Sequence, residues 1–225
     1  MIRTVARLGL ALVSTLVLGA CGDTAPAGGA PDSPPATTQE SESTGERIMI
    51  DGSEALVWGD GSYGVVLAHG AAFDAASWES QAVRIAAQDA TVVAVENIAP
   101  DAIGAAVEFL RSQRGVSDVA LVGGSAGSDA ILELAAAEPD LPDQLVLLSP
   151  NQPQDGLGTE PKLFIASEDE AVVDVSRKLA ATAAGDDNEA LIIPGSAHAQ
   201  NIFATDQAER VTTAILGRLA QFATG

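Results

Sequence analysis

VALVGGSAGSDAILE, residues 119–133, is the stretch whose reading decides the fold. Val119, Ala120, Leu121 and Val122 form an apolar run suited to a strand buried on both faces. Gly123-Gly124-Ser125-Ala126-Gly127 then supplies a turn, and the residues beyond it are compatible with a helix. Ser125 is therefore expected at a sharp strand-to-helix corner. A helix that must pack back closely on its own strand needs neighbours without bulk, and Gly123, Gly124, Ala126 and Gly127 meet that need. The first amides of such a helix lack intrahelical acceptors and carry the positive end of its dipole. Negative charge developing beside Ser125 would be stabilised there.

Working outward, short β-type runs alternate with helix-type segments, the pattern of a parallel sheet with helices on its faces. Arg47 to Ile50 and Ala55 to Trp58 read as an opening hairpin turned by Asp51-Gly52. Tyr63 to Ala68, Thr91 to Val95, Gln144 to Leu148, Lys162 to Ala166 and Ala190 to Ile193 read as further strands. Ala75 to Gln88, Asp101 to Gln113, the segment after Ser125 to about Glu138, Val173 to Ala184 and Asp206 to Phe222 read as helices. The last carries Val211, Ile215, Leu219 and Phe222 on one stripe. The fold expected is α/β, a single doubly wound, mostly parallel sheet flanked by helices. The segment between two of its strands, Ser149 to Glu160 (SPNQPQDGLGTE), is too short and polar for a cap domain, so an open, shallow site is expected.

From about Arg47 to the C-terminus this order of elements resembles the α/β-hydrolase family. The glycine-flanked Ser125 looks like that family's nucleophile elbow. The resemblance implies a triad in the chain order nucleophile, acid, histidine, each on a loop at the C-terminal end of a strand. Ser125 fills the first slot; His198, in LIIPGSAHAQNIF, fills the last. For the acid, Asp169 in PKLFIASEDEAV matches the family spacing, counted from a strand end where Ala166 stands in place of a commoner glycine. Glu168, Glu170 and Asp174 remain alternatives. His69, in HGAAF, looks like the family's His-Gly oxyanion loop, where the histidine holds the loop; the oxyanion donors would then be the amides of Ala71 and Ala126. These segments are similar to dienelactone-hydrolase-like members in particular, although such relatives often use cysteine where this chain has Ser125. The mechanism implied has neutral His198 as base, so activity is expected to fall as pH drops through roughly 6 to 7, the ordinary imidazole range.

The chain has 225 residues and a formal charge of −20, with lysine confined to Lys162 and Lys178. Such a surface repels phosphate backbones and argues against nucleic acid as a partner. Cys21 is the single cysteine, preceded by a basic start (Arg3, Arg7) and an apolar run from about Leu8 to Leu18, too short to span a membrane. Leu18-Gly19-Ala20-Cys21 resembles the lipobox of bacterial lipoproteins, which implies removal of residues 1–20 and lipidation of Cys21 at a membrane surface. Residues 22–46 are rich in Pro, Ala, Gly, Ser and Thr and read as a tether to a domain over residues 47–225.

No metal-ligand spacing and no phosphate-gripping glycine loop is present in the sequence, so neither metal nor cofactor is expected. The expectation is a membrane-tethered, extracytoplasmic serine hydrolase acting on small carboxylic esters or thioesters, of unassigned oligomeric state. The alternative is a non-catalytic binding or scaffold lipoprotein that has kept the fold.

Overall fold

A computed structural model describes residues 44–223. The leader over residues 1–20, Cys21 and all but the end of the tether lie outside the described residues.

The described chain forms one eight-stranded sheet in the order β1-β2-β4-β3-β5-β6-β7-β8. Strands β1 (Glu46–Ile50) and β2 (Ser53–Trp58) form the antiparallel hairpin expected from Asp51-Gly52, and β2 pairs antiparallel with β4 (Ala90–Val95). From β4 onward neighbours are parallel: β3 (Tyr63–Ala68), β5 (Val119–Gly124), β6 (Gln144–Leu148), β7 (Lys162–Ser167) and β8 (Asn188–Ile193). Parallel pairing brings the C-terminal ends of β3, β5, β6, β7 and β8 to one edge, the edge where open α/β sheets place their ligands.

The apolar runs are continuous because both faces of the sheet are covered. Along β3, Val65 and Leu67 join one core while Val66 and Ala68 join the other, and all four are fully buried. On the first face pack α1 (Glu79–Ala86), through Ala82 and Ile85, and α5 (Ala208–Phe222), through Val211, Ile215 and Leu219. On the second lie α2 (Pro100–Gln113), α3 (Ala126–Ala137) and α4 (Val173–Thr182), which contribute Ile103, Val107, Leu110, Ile131 and Leu179. Each fully buried aliphatic side chain of this kind contributes on the order of 1.5–3 kcal/mol of transfer free energy.

Two details differ from the sequence expectation. The segment from Ala75 opens as a 3-10 turn (Ala75–Trp78) before α1 begins. Asp74 caps that turn by accepting from the Ser77 amide at 2.9 Å, and Trp78 is wholly buried with its ring edge against Phe203. The second is an unanticipated 3-10 segment, Ala199–Ala204, directly after His198; six residues are too few to show helical periodicity. The loop Ser149–Pro161 between β6 and β7 contains no helix or strand, so no cap is built there.

Candidate active site

Ser125 sits at the corner between β5 and α3 with φ 51° and ψ −114°, a region that costs a non-glycine residue of order 1–3 kcal/mol. The corner is held by its own backbone: the Ser125 amide donates to Leu148 O at 2.9 Å and the Asp129 amide to Ser125 O at 3.0 Å. The neighbouring glycines are sterically required. A Cβ on Gly127 would lie 2.3 Å from Ala68 O, and one on Gly123 would lie 2.8 Å from the Ser128 amide.

Within this corner Ser125 Oγ lies 2.8 Å from His198 Nε2, and His198 Nδ1 lies 2.8 Å from Glu170 Oε2. With Nδ1–H donating to the carboxylate, the Nε2 lone pair is left to accept from the serine hydroxyl. Glu170 is buried, and its other oxygen accepts from Ser149 Oγ at 2.9 Å and from the Ser167 amide at 2.8 Å. Ser149 Oγ in turn accepts from the Ala199 amide at 2.9 Å. The carboxylate and the histidine loop are thus fixed by one connected network.

The carboxylate that faces His198 is therefore Glu170, and not the Asp169 expected from the family spacing. Ser167 to Glu170 form a tight turn, the Glu170 amide donating to Ser167 O at 3.3 Å, which puts Glu168 and Asp169 at its exposed tip. Their amides are tied to the end of β8 and the loop after it, donating to Ile193 O and Gly195 O at 2.8 and 2.9 Å, so the tip is held outward. Glu170 comes back to the sheet edge, and the longer glutamate side chain reaches His198. Asp174 lies on α4, paired with Arg177 at 2.9 Å and exposed.

Ala126 is the first residue of α3, where the helix amides have no intrahelical acceptor. Ala71 is an exposed central residue of a turn closed by Phe73 N donating to Gly70 O at 2.9 Å, a bond that does not engage the Ala71 amide. His69 is buried beneath that loop, Nδ1 2.9 Å from Gly70 O and Nε2 3.1 Å from Glu96 O; a neutral ring donates to one of the two.

Three residues at this edge were not singled out from sequence. Gln200, buried, accepts from the Gly70 amide through Oε1 at 2.7 Å and donates to Ser77 Oγ through Nε2 at 2.6 Å, tying the histidine loop to the glycine loop after β3. Asn151 and Asp129 form a pair: Asp129 accepts from the Asn151 amide and side chain at 2.8 Å each, and Asn151 Nδ2 lies 3.4 Å from Ser125 Oγ. The signal available for all three was proximity to a motif residue or strand end, Asp129 one helical turn past Ser125, Asn151 three past the end of β6, and Gln200 two past His198.

No protein-family profile matches the sequence, and none of the curated proteins matches it. Solved structures do. A monoacylglycerol lipase of Paleococcus ferrophilus superposes with TM-score 0.62 at 14% identity, covering 79% of this chain and 100% of its own. Est1E from Butyrivibrio proteoclasticus gives 0.62 at 15%, covering 80% and 99%. A thermophilic esterase from Thermogutta terrifontis gives 0.62 at 15%, covering 80% and 100%. Together with the strand order and the mostly parallel sheet flanked by helices, these likenesses show that the chain has the α/β-hydrolase fold.

Proposed function

We propose that this protein is a serine hydrolase that cleaves small carboxylic esters or thioesters through an acyl-enzyme intermediate. The observation that carries the reading is the continuous chain of contacts from Ser125 Oγ through His198 to Glu170, two bonds of 2.8 Å in series. In the first half-reaction the Ser125 hydroxyl attacks the carbonyl carbon and its proton passes to His198 Nε2, while Glu170 stabilises the imidazolium formed. The tetrahedral oxyanion is held by the Ala126 amide and, from the loop after β3, the Ala71 amide. Collapse breaks the bond to the leaving alcohol or thiol, which takes the proton from His198. Water then attacks the acyl-enzyme, gives its proton to Nε2, and the acid is released with Ser125 regenerated.

The names of the structural neighbours, a monoacylglycerol lipase and esterases among them, support the choice of esters. The short β6–β7 loop supports small substrates approached from an open edge. We place the protein at the outer face of a membrane, anchored through Cys21, on the strength of the leader and lipobox pattern; incorporation of labelled palmitate that is lost in Cys21→Ser is the expected result. The kinship with dienelactone-hydrolase-like members rests on the segments around Glu170 and His198 alone.

The test is turnover of short-chain chromogenic esters by the purified domain. Wild type is expected to turn over, and His198→Ala to lose at least about a thousandfold in kcat/KM. Equal rates in the two proteins, or no turnover in either, would leave a non-catalytic binding module as the better reading.

A further inference from the structure

Beside the nucleophile stands a hydrogen-bond donor that the triad does not use. Asn151 Nδ2 lies 2.8 Å from Asp129 Oδ2 and 3.4 Å from Ser125 Oγ, and the Asn151 amide donates to Asp129 Oδ1 at 2.8 Å. A carboxylate only accepts, so Asp129 fixes which end of the Asn151 side chain is the NH2 group and fixes its direction. One proton of that group is committed to Asp129; the other points at the nucleophile across a gap too long for a strong bond. This donor is only partly buried and therefore accessible to a ligand.

Its side of the site follows from the sheet order. Strand β5 lies between β3 and β6, so the loop after β3, which carries Ala71, and the loop after β6, which carries Asn151, flank Ser125 from opposite sides. Asn151 thus faces a substituent of the substrate and not the oxyanion. A carbonyl carbon in position for attack lies about 3–3.5 Å from Ser125 Oγ. With Asn151 Nδ2 3.4 Å from Ser125 Oγ, an acceptor that reaches it then sits within a few bonds of that carbon, on the acyl or the alcohol side. The adjacent Asp129 carboxylate repels an anion, so the acceptor is a neutral oxygen.

We propose that Asn151, oriented by Asp129, is a specificity-determining residue, and that the preferred substrates are esters bearing an uncharged ether, hydroxyl or keto oxygen within a few bonds of the scissile carbonyl. The inference rests on the serine-hydrolase reading and narrows its substrate class. The oxygen could belong to the acyl group or to the alcohol, and two pairs of near-isosteric esters separate these sources: phenyl methoxyacetate against phenyl butanoate, and 2-methoxyethyl acetate against butyl acetate.

The experiment measures kcat/KM for all four esters in wild type, Asn151→Ala and Asp129→Asn, with active sites counted by fluorophosphonate titration. Intrinsic ester reactivity is common to the three proteins, so the change in ratio within each pair reads the donor alone. Asn151→Ala is expected to lower the oxygen-to-methylene ratio about tenfold in one pair, and Asp129→Asn to lower the same ratio by a smaller factor. The pair that responds identifies which side of the ester carries the oxygen. Ratios that stay within about twofold of wild type in both pairs, for whichever variant folds, overturn the proposal while leaving the hydrolase reading intact. A wild type that neither labels nor turns over any of the four overturns both.

Discussion

Strand β7 carries a buried glutamate near each of its ends, and the two are treated differently. Glu170, at the C-terminal end, has partners on both oxygens: Ser149 Oγ and the Ser167 amide on one, His198 on the other. Glu160, before the N-terminal end, is as deeply buried, yet neither of its oxygens has a hydrogen-bond partner; its compensation is the ammonium of Lys162 at 3.5 Å. Lys162 Nζ meanwhile donates to three carbonyls, Gly158 O and Glu160 O at 2.7 Å and Ala184 O at 3.0 Å. Burial pushes the Glu160 carboxyl above its ordinary value and the Lys162 ammonium below its own. The contrast teaches where this fold demands direction. At the edge where the parallel strands end, a carboxylate must point one way, and hydrogen bonds fix it; at the other edge charge neutralisation suffices.

The sharpest way to break the comparison is to exchange the carboxylate for an amide at each end. Glu170→Gln keeps the shape and removes the charge that, in the proposed mechanism, stabilises the imidazolium. We expect kcat to fall about 10²–10⁴-fold in ester turnover with the fold retained by circular dichroism. Glu160→Gln, far from the chemistry, should leave kcat within about twofold.

Next in size, Lys162→Met strands the buried Glu160 carboxylate and three carbonyls. Chemical denaturation should show a loss of about 3–5 kcal/mol, whereas a loss below about 1 kcal/mol would mean that the pair carries no structural weight. The same pair gives stability a pH dependence of definite sign. Because the folded state holds the Glu160 proton more tightly than the unfolded chain, the native protein binds more protons just above the ordinary value of 4.5, and stability falls as pH rises through that window. Lys162 acts oppositely: its lowered value means that the unfolded chain binds more protons below the ordinary 10.5, so stability rises with pH there. Denaturation midpoints measured across the acid window should slope downward with pH in wild type and flatten in Glu160→Gln.

The smallest effect is expected at the turn tip. Asp169→Asn should leave kcat/KM within about twofold, because that side chain projects from an exposed turn. A hundredfold loss there would return the acid role to Asp169 and remove it from Glu170.

Much of this was legible in the sequence. The buried strands announced themselves as unbroken aliphatic runs such as YGVVLA and VALV, since both sheet faces are covered and no alternation is needed. Ser125 was legible because the steric demands of the corner exclude side chains at Gly123 and Gly127, and His198 because His69 was its one competitor. The acid was not. Three consecutive acidic residues follow β7, and which one faces the sheet depends on a turn whose tip is held by backbone bonds to Ile193 and Gly195, long-range contacts that spacing cannot encode. Gln200, Asn151 and Asp129 were hidden for a related reason, since each matters through a partner 22 or more positions away.

The central claim is that Ser125 is a hydroxyl activated by His198. The most direct measurement is reaction of the purified domain with a fluorophosphonate, followed by intact mass and peptide mapping. The account predicts one adduct per chain, located on Ser125, absent in Ser125→Ala and formed at least about a hundredfold more slowly in His198→Ala. An unmodified wild-type chain, or an adduct on any other residue, would contradict it.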